Sequence, residues 1–381
     1  MNLPVEVITQ SGQLYAAVQE IGGSKAIAVD TEANSRHRYP EQLCLIQLAT
    51  LDKIFVIDTI KLKEIGPLKD IFLDASIIKV FHTADYDIRS LNRHFGFQIH
   101  GVFDTAIAAR FTGISKFGLA TLLEDLLKIT IEKSQLLQKA DWGKRPLSSE
   151  ALEYAANDVR HLLSLKDFLD KRLRELGRTT WVTQECSRLE ELRYEPGDPE
   201  TAFLSLKGAN KLNGSSLAVL KPLFMFREKE ALKQNRPPYF VIPHSTLLYL
   251  AANPKADLSK TPGLGKTGLE RFGQGLQRAL TEGLAGPPIY RGTTEKLTRE
   301  DTELPKLDRA EQDQRLKHLK AWRESMGKLL SLDQSLIWPR VSLERLACAP
   351  DTLDIELTSG DIRRWQHDNF ASSLSILLES L

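Results

Sequence analysis

The chain has 381 residues, of which 42% are hydrophobic and 27% are charged, and its net charge at pH 7 is +1. This composition is typical of a soluble globular protein, and the length predicts two or three domains. We expect no membrane segment and no secretion signal, because no apolar stretch is long enough to span a bilayer and the start of the chain lacks a basic and then apolar leader. The three cysteines are odd in number and far apart, which favours a reducing cytoplasm and no disulfide-linked partner.

Four apolar runs rich in β-type residues predict strands at residues 26–30, 43–48, 54–57 and 77–81. After the last run the pattern becomes mostly helical, and residues 148–192 have a helical pattern almost throughout. This order predicts an α/β domain in which a mixed sheet is flanked by helices.

Four carboxylates and one tyrosine fall into three short clusters of this domain. Asp30 and Glu32 end the first predicted strand, and side-chain alternation places them on one face. Asp87 opens a predicted helix, while Tyr154 and Asp158 are four residues apart on one face of another. If the three clusters converge, their oxygens form a site for a hard divalent cation.

Each cluster alone also has a structural explanation. An Asp-x-Glu pair at a strand end is often simply solvated. Asp87 has the position of a carboxylate favoured by a helix dipole, and Tyr154 has that of a half-buried core aromatic. The order of all three clusters along the chain is what favours a metal site.

In that order the clusters resemble the ribonuclease D branch of the DEDD exonucleases. The first motif is V-D-T-E followed by Y-P-E-Q-L-C-L-I-Q-L-A at residues 29–49, the second is H-T-A-D-Y-D-I-R-S-L at 82–91 with F-D-T at 103–105, and the third is Y-A-A-N-D-V at 154–159. The tyrosine four residues before the last aspartate marks the tyrosine subclass. Residues 133–148 also look like this family, so the resemblance covers residues 1–175.

The resemblance implies a ribonuclease H-like 3′–5′ exoribonuclease domain that releases nucleoside 5′-monophosphates. It assigns two divalent ions, Mg²⁺ or Mn²⁺, to Asp30, Glu32, Asp87 and Asp158, and it makes Tyr154 the residue that orients the attacking water. By family analogy the partner is RNA, with the 3′ trailers of transfer RNA precursors as substrate, and we expect a monomer. Asp104, which matches the family's D-T, is interpreted as a structural carboxylate near the site.

Further substrate contacts are predicted within the family-like stretches, at Gln42, Gln47, His82, Trp142 and Arg145. Arg145 is the best candidate for binding phosphate. For His82 we favour a positioning role or a buried hydrogen bond over metal ligation. Trp142 has ordinary packing as its alternative.

The second half of the chain contains an internal repeat. After a predicted helical linker at residues 176–205, F-R-E at 226–228 matches W-R-E at 322–324, and V-I-P-H-S-T-L-L-Y-L-A from Val241 matches I-W-P-R-V-S-L-E-R-L-A from Ile337, both at an offset of 96 residues. This predicts two copies of one all-α module, at residues 206–284 and 300–381. The first resembles the HRDC domain, which RecQ-type helicases share with ribonuclease D.

The two copies differ in charge. Residues 207–280 carry 12 Lys or Arg against 4 Asp or Glu, whereas residues 300–381 carry 11 against 15. A basic module can follow a phosphate backbone, and an acidic one is poorly suited to do so. The candidate RNA-binding cations of the first copy are Lys207, Lys211, Lys229, Lys233 and Arg236.

Two alternatives use the same sequence features. A DNA exonuclease of the same superfamily has the same catalytic set. A nucleic-acid-binding adaptor with a vestigial site has the same modules, but the complete set of acids argues against it.

Overall fold

The computed structural model describes residues 3–62, 64–132, 134–290 and 309–381. The predicted start of the second helical module, residue 300, lies outside these ranges. No helix in the described ranges is both long and apolar enough to cross a membrane.

The first domain is built on a six-stranded mixed sheet, as the strand and helix order predicted. The strand order is β1-β4-β3-β2-β5-β6; β2 pairs antiparallel with β3 and parallel with β5. The strands are β1 (Val5–Ile8), β2 (Ala26–Ala33), β3 (Leu43–Ala49), β4 (Ile54–Asp58), β5 (Ile78–Phe81) and β6 (Val102–Asp104). The two edge strands β1 and β6 were not predicted, because four and three residues are too few to show a period.

In the described part of the chain, nine α-helices accompany this sheet. They are α1 (Ser11–Gly22), α2 (Leu68–Leu73), α3 (Asp85–Phe95), α4 (Thr105–Phe111), α5 (Leu119–Leu122), α6 (Gln135–Gln138), α7 (Ser149–Arg160), α8 (Leu162–Glu175) and α9 (Thr179–Glu190). Ser148 caps α7 by accepting a hydrogen bond from the backbone N–H of Ala151. Helix α7 contacts β2, β3 and β4, so it lies across the centre of the sheet.

Helix α9 corrects the prediction of a helical linker at residues 176–205. It contacts β6 and α4, and its Trp181, Val182 and Cys186 are buried in the same core as the sheet. The first domain therefore continues to the end of α9, since removing this helix would expose apolar core.

The first helical module has its own hydrophobic core. Its helices are α10 (Gly214–Gln234), α11 (Pro238–Val241), α12 (His244–Ala252) and α13 (Gly265–Ala285). It touches the first domain through Tyr39, whose hydroxyl donates to the Glu228 carboxylate and whose N–H donates to Asn235 Oδ1 at 3.3 Å. The contact is made by the loop that joins β2 to β3.

The second helical module repeats the first in structure. Its helices are α14 (Arg309–Leu330), α15 (Gln334–Ile337), α16 (Arg340–Cys348), α17 (Leu353–Thr358) and α18 (Arg364–Glu379). Helices α15 and α16 begin and end 96 residues after α11 and α12, which is the offset of the sequence repeat. Unlike the first module, however, it shares one continuous core with the first domain.

Candidate active site

Asp30 and Glu32 project from one face of β2, toward α7. One carboxylate oxygen from each lies within 4.8 Å of the other and of an oxygen of Asp158 on α7. The β2–β3 register breaks directly after Glu32, so the two acids are the last residues of the regular pairing. The convergence of the first and third acid clusters is thus a feature of the structure.

Asp87 approaches the same site from α3. It is 6% exposed and lies in the first turn of the helix, where the backbone dipole favours a negative charge. The hydroxyl of Thr31, the residue between Asp30 and Glu32, donates a 2.5 Å hydrogen bond to Asp87 Oδ1. Thr31 therefore connects the second acid cluster to the first.

Burial and mutual repulsion keep these acids protonated above their ordinary pKa values. Burial raises the pKa of Glu32 to about 9, with further contributions from Asp158 and Asp87. Burial raises the pKa of Asp87 to about 7 against the lowering effect of Thr31, and it raises the pKa of Asp158 to about 7. The pKa of Asp30 is raised by burial and then by its three acidic neighbours, Asp87, Asp158 and Glu32. A bound cation would favour the ionised carboxylates and so lower these pKa values again.

Tyr154 lies beside the acids on α7. Burial, followed by the charges of Asp158, Glu32 and Asp30, raises its pKa well above the ordinary range, so the phenol stays protonated at neutral pH. Its hydroxyl has no hydrogen-bond partner among the described residues. The ring packs against Trp142 with centroids 6.0 Å apart, which fixes where that hydroxyl points.

His82 is held by the start of α4. Its Nδ1 lies 2.9 Å from the Thr105 hydroxyl, which itself donates to the Phe81 carbonyl. Since a hydroxyl has one proton, Nδ1 of His82 must be the donor in the first bond. The structure thus gives His82 a buried hydrogen bond and leaves Nε2 unprotonated in the neutral ring.

Asp104 makes four hydrogen bonds to backbone groups. It accepts from the N–H groups of Thr83 and Ala84, before α3, and from those of Ala106 and Ile107 in the first turn of α4. With four hydrogen bonds accepted, the Asp104 carboxylate has few lone pairs left to bind a metal ion. The same bonds fix the loop that carries His82.

Three of the predicted substrate contacts are buried or bonded within the protein. Gln47 on β3 lies opposite Asp30 on β2 but is fully buried, and Trp142 is 2% exposed. Arg145 uses all five N–H donors internally, two on Asp58 at 2.6 and 2.8 Å and the others on the carbonyls of Trp142, Lys144 and Cys44. The structure gives no support for substrate contact at these three residues, and their role stays a prediction. Gln42 is exposed next to the site.

The five predicted cations of the first module are all exposed. Lys229 and Lys233 line a groove of about 900 Å³ between α10 and α13, although Lys233 also pairs with Glu230 at 2.7 Å. Arg236 lies over the ring of Phe240 at 5.7 Å. They are accessible to RNA, and which of them bind it stays a prediction.

Thr31 is the site residue that sequence reasoning missed. Alternation along β2 directs it away from Asp30 and Glu32, so nothing in the motif indicates that its hydroxyl meets a carboxylate 56 residues later.

Comparisons with known proteins agree with this geometry. The model of the 3′–5′ exonuclease domain matches residues 5–174, and the model of the HRDC domain matches residues 216–280. The fold and the acidic site together define a 3′–5′ exonuclease.

The ribonuclease D of Zymomonas mobilis is 35% identical over 281 residues, which cover 72% of this chain and 71% of that protein. The exosome complex exonuclease Rrp6 of Saccharomyces cerevisiae is 30% identical over 273 residues, covering 68% of this chain and 37% of that protein. The crystal structure of Escherichia coli RNase D superposes with a TM-score of 0.73 at 25% identity and covers 100% of this chain and 99% of its own. The chain belongs to the ribonuclease D family and is a 3′–5′ exoribonuclease.

Proposed function

We propose that this exoribonuclease works with two divalent ions, Mg²⁺ or Mn²⁺, held by Asp30, Glu32, Asp87 and Asp158. The observation that carries the proposal is the approach of three carboxylates to within 4.8 Å, with a fourth buried beside them. Asp30 is affected by the charges of all three other acids, so its carboxylate would hold the ions together with theirs. An all-oxygen donor set fits Mg²⁺ or Mn²⁺ better than Zn²⁺.

Hydrolysis of a phosphodiester requires positive charge beside both the attacking water and the leaving 3′ oxygen. Divalent ions held by these acids would lower the pKa of an attacking water and would offset the charge that grows on the leaving 3′ oxygen. Tyr154 keeps its proton, so its role is to position that water by a hydrogen bond rather than to remove a proton from it. Trp142 holds the Tyr154 ring in place.

The substrate we propose is the 3′ trailer of transfer RNA precursors, with nucleoside 5′-monophosphates as products. The E. coli relative is described as an exoribonuclease involved in structured RNA processing, which supports a substrate of this class. The exposed cations of the first module are suited to hold the structured part of such an RNA. The three free cysteines support a reducing cytoplasm as the compartment.

Changing Asp30 to Asn tests the metal site. We expect cleavage to fall by more than about 100-fold, the upper end of the loss seen when an outer-shell partner of a metal site is changed. RNA affinity should be unchanged or higher, because the variant removes a negative charge. Asp85→Asn is the control for the same loss of charge: Asp85 shares the first turn of α3 with Asp87, but it is exposed and pairs with Arg89. Full activity of the Asp30 variant would refute the metal mechanism.

Changing Tyr154 to Phe tests the positioning of water. Packing on Trp142 is kept, so kcat should fall by about 100-fold while KM changes little. A loss confined to KM would instead make Tyr154 a substrate-binding residue.

Matched RNA and DNA oligonucleotides test the choice of substrate. We expect RNA to be degraded faster and a chelator to stop the reaction. A transfer RNA precursor with a 3′ trailer should be shortened to its mature end, whereas an untouched trailer would exclude this substrate.

A further inference from the structure

Residues 34–42, which we name the β2–β3 loop, begin two residues after Glu32 and carry two unpaired arginines. Arg36 and Arg38 are both exposed, and neither forms an ion pair with a carboxylate in the described ranges. Chain reach alone keeps their Cα atoms within about 14 and 21 Å of that of Glu32. The backbone that carries these two cations therefore lies within that distance of the acidic site.

The β2–β3 loop is fixed by contacts on three sides. His37 Nε2 lies 2.9 Å from the carbonyl oxygen of Lys139, and Tyr39 is bonded to Glu228 and Asn235 of the first module. On the third side, Glu41 accepts from Arg93 at 2.6 Å and from the Tyr86 hydroxyl at 3.3 Å, both on α3. The anchored residues alternate with the two arginines, so the backbone that presents the guanidinium groups is held in place.

This arrangement distinguishes the arginines from ordinary solvated charges. Acids close to this loop are bonded to other groups: Glu41 to Arg93, and Glu228 to Arg227 and Tyr39. The four carboxylates of the site repel RNA when they are ionised and no cation is bound, so positive charge near the site favours the approach of the strand. A fixed backbone lowers the entropy lost when the side chains engage a ligand, and guanidinium groups match phosphate oxygens in pairs.

We propose that Arg36 and Arg38 bind phosphates of the RNA strand next to the scissile bond, so that the β2–β3 loop guides RNA from the first helical module into the active site. The contact between Tyr39 and Glu228 sets the position of the loop relative to that module. The inference rests on the proposed exoribonuclease site, but its test measures binding and not cleavage.

The test uses the full chain carrying Asp30→Asn, with a fluorescent single-stranded RNA in Mg²⁺. Log Kd is measured against log salt with and without Arg36→Gln and Arg38→Gln. Each phosphate contact on a single strand contributes about 0.7 to that slope, so the double variant should lower it by about 1.4 and weaken binding most at low salt. Restoring the charges with lysine at both positions should recover most of the slope.

The matched control removes two exposed lysines of the acidic second module, as Lys317→Gln and Lys320→Gln. Neither lysine has an ion pair in the described part of the chain, and the loss of charge is the same. The control should leave the slope unchanged. An unchanged slope in the arginine variant, or an equal change in both, would overturn the inference. Failure of the proposed function would appear separately, as absence of RNA cleavage by the chain with Asp30 intact.

Discussion

Trp365 of the second helical module stacks on Trp181 of the exonuclease domain, with ring centroids 4.9 Å apart and ring planes inclined by 22°. The same indole donates from Nε1 to Glu185 at 2.8 Å. Nearby, Gly113 has a φ of +89°, and a Cβ there would lie 2.5 Å from the carbonyl oxygen of Ser331, so only glycine allows this approach. The acidic module is therefore part of the architecture of the catalytic domain.

Trp365→Ala should destabilise the whole protein. Removing a buried indole from a packed core costs about 3–5 kcal/mol, and the exonuclease domain shares that core. Unfolding in urea, followed by fluorescence, measures the change. Leu329→Ala is the control, since Leu329 is 75% exposed in the same module. If Trp365→Ala and Leu329→Ala were equally stable, the second helical module would not contribute to the stability of the exonuclease domain.

Without metal, the protein should lose stability as the pH rises. Burial raises the pKa of Glu32 to about 9 and of Asp87 and Asp158 to about 7, so the folded state binds more protons than the unfolded state above about pH 4. Stability is then highest below the unfolded pKa values and falls between about pH 4 and 9. In chelator, Tm should fall across this range by about 2–4 °C for each kcal/mol lost.

Added Mg²⁺ should reverse that loss, with a larger gain at pH 8 than at pH 5, because deprotonated carboxylates bind it. Asp158→Asn should show a weaker dependence of Tm on pH in chelator than the unchanged chain. If Tm depended on pH equally in the two proteins, the assignment of Asp158 to the site would be contradicted.

Thr31→Val should weaken the binding of metal at the active site. The variant keeps the shape of the side chain but removes the hydroxyl that donates to Asp87. Loss of such a partner typically costs 10- to 100-fold in metal affinity or activity. A titration of activity with Mg²⁺ should shift to higher concentration by a factor in that range. Thr31→Ser keeps the donor and should remain close to the unchanged chain.

Arg145→Ala should affect stability and not RNA binding by the folded protein. Arg145 is 15% exposed and Asp58 is 2% exposed, and breaking a buried pair costs about 3–5 kcal/mol. Arg172→Ala, which breaks the exposed pair with Glu175, should cost less than about 1 kcal/mol. If Arg145→Ala instead changed the salt dependence of RNA binding and left stability intact, Arg145 would be a phosphate-binding residue.

Local periodicity was sufficient to predict much of the site. The period of two in β2 places Asp30 and Glu32 on one face, and the spacing of four residues in α7 does the same for Tyr154 and Asp158. Both relationships are set by the backbone of a single element, so the sequence by itself determined them. The module repeat was equally visible, because the offset of 96 residues is kept through two whole helices.

Tertiary structure alone decided which side chains meet across the chain. Arg145 has a phosphate-binding residue type in a family-like stretch, yet it pairs with Asp58, 87 residues away. Trp181 lies in what the sequence indicated as a linker, yet it is core because Phe111 and Trp365 pack on it. Such contacts depend on how elements pack in three dimensions, and packing between distant residues leaves no periodic pattern in the sequence.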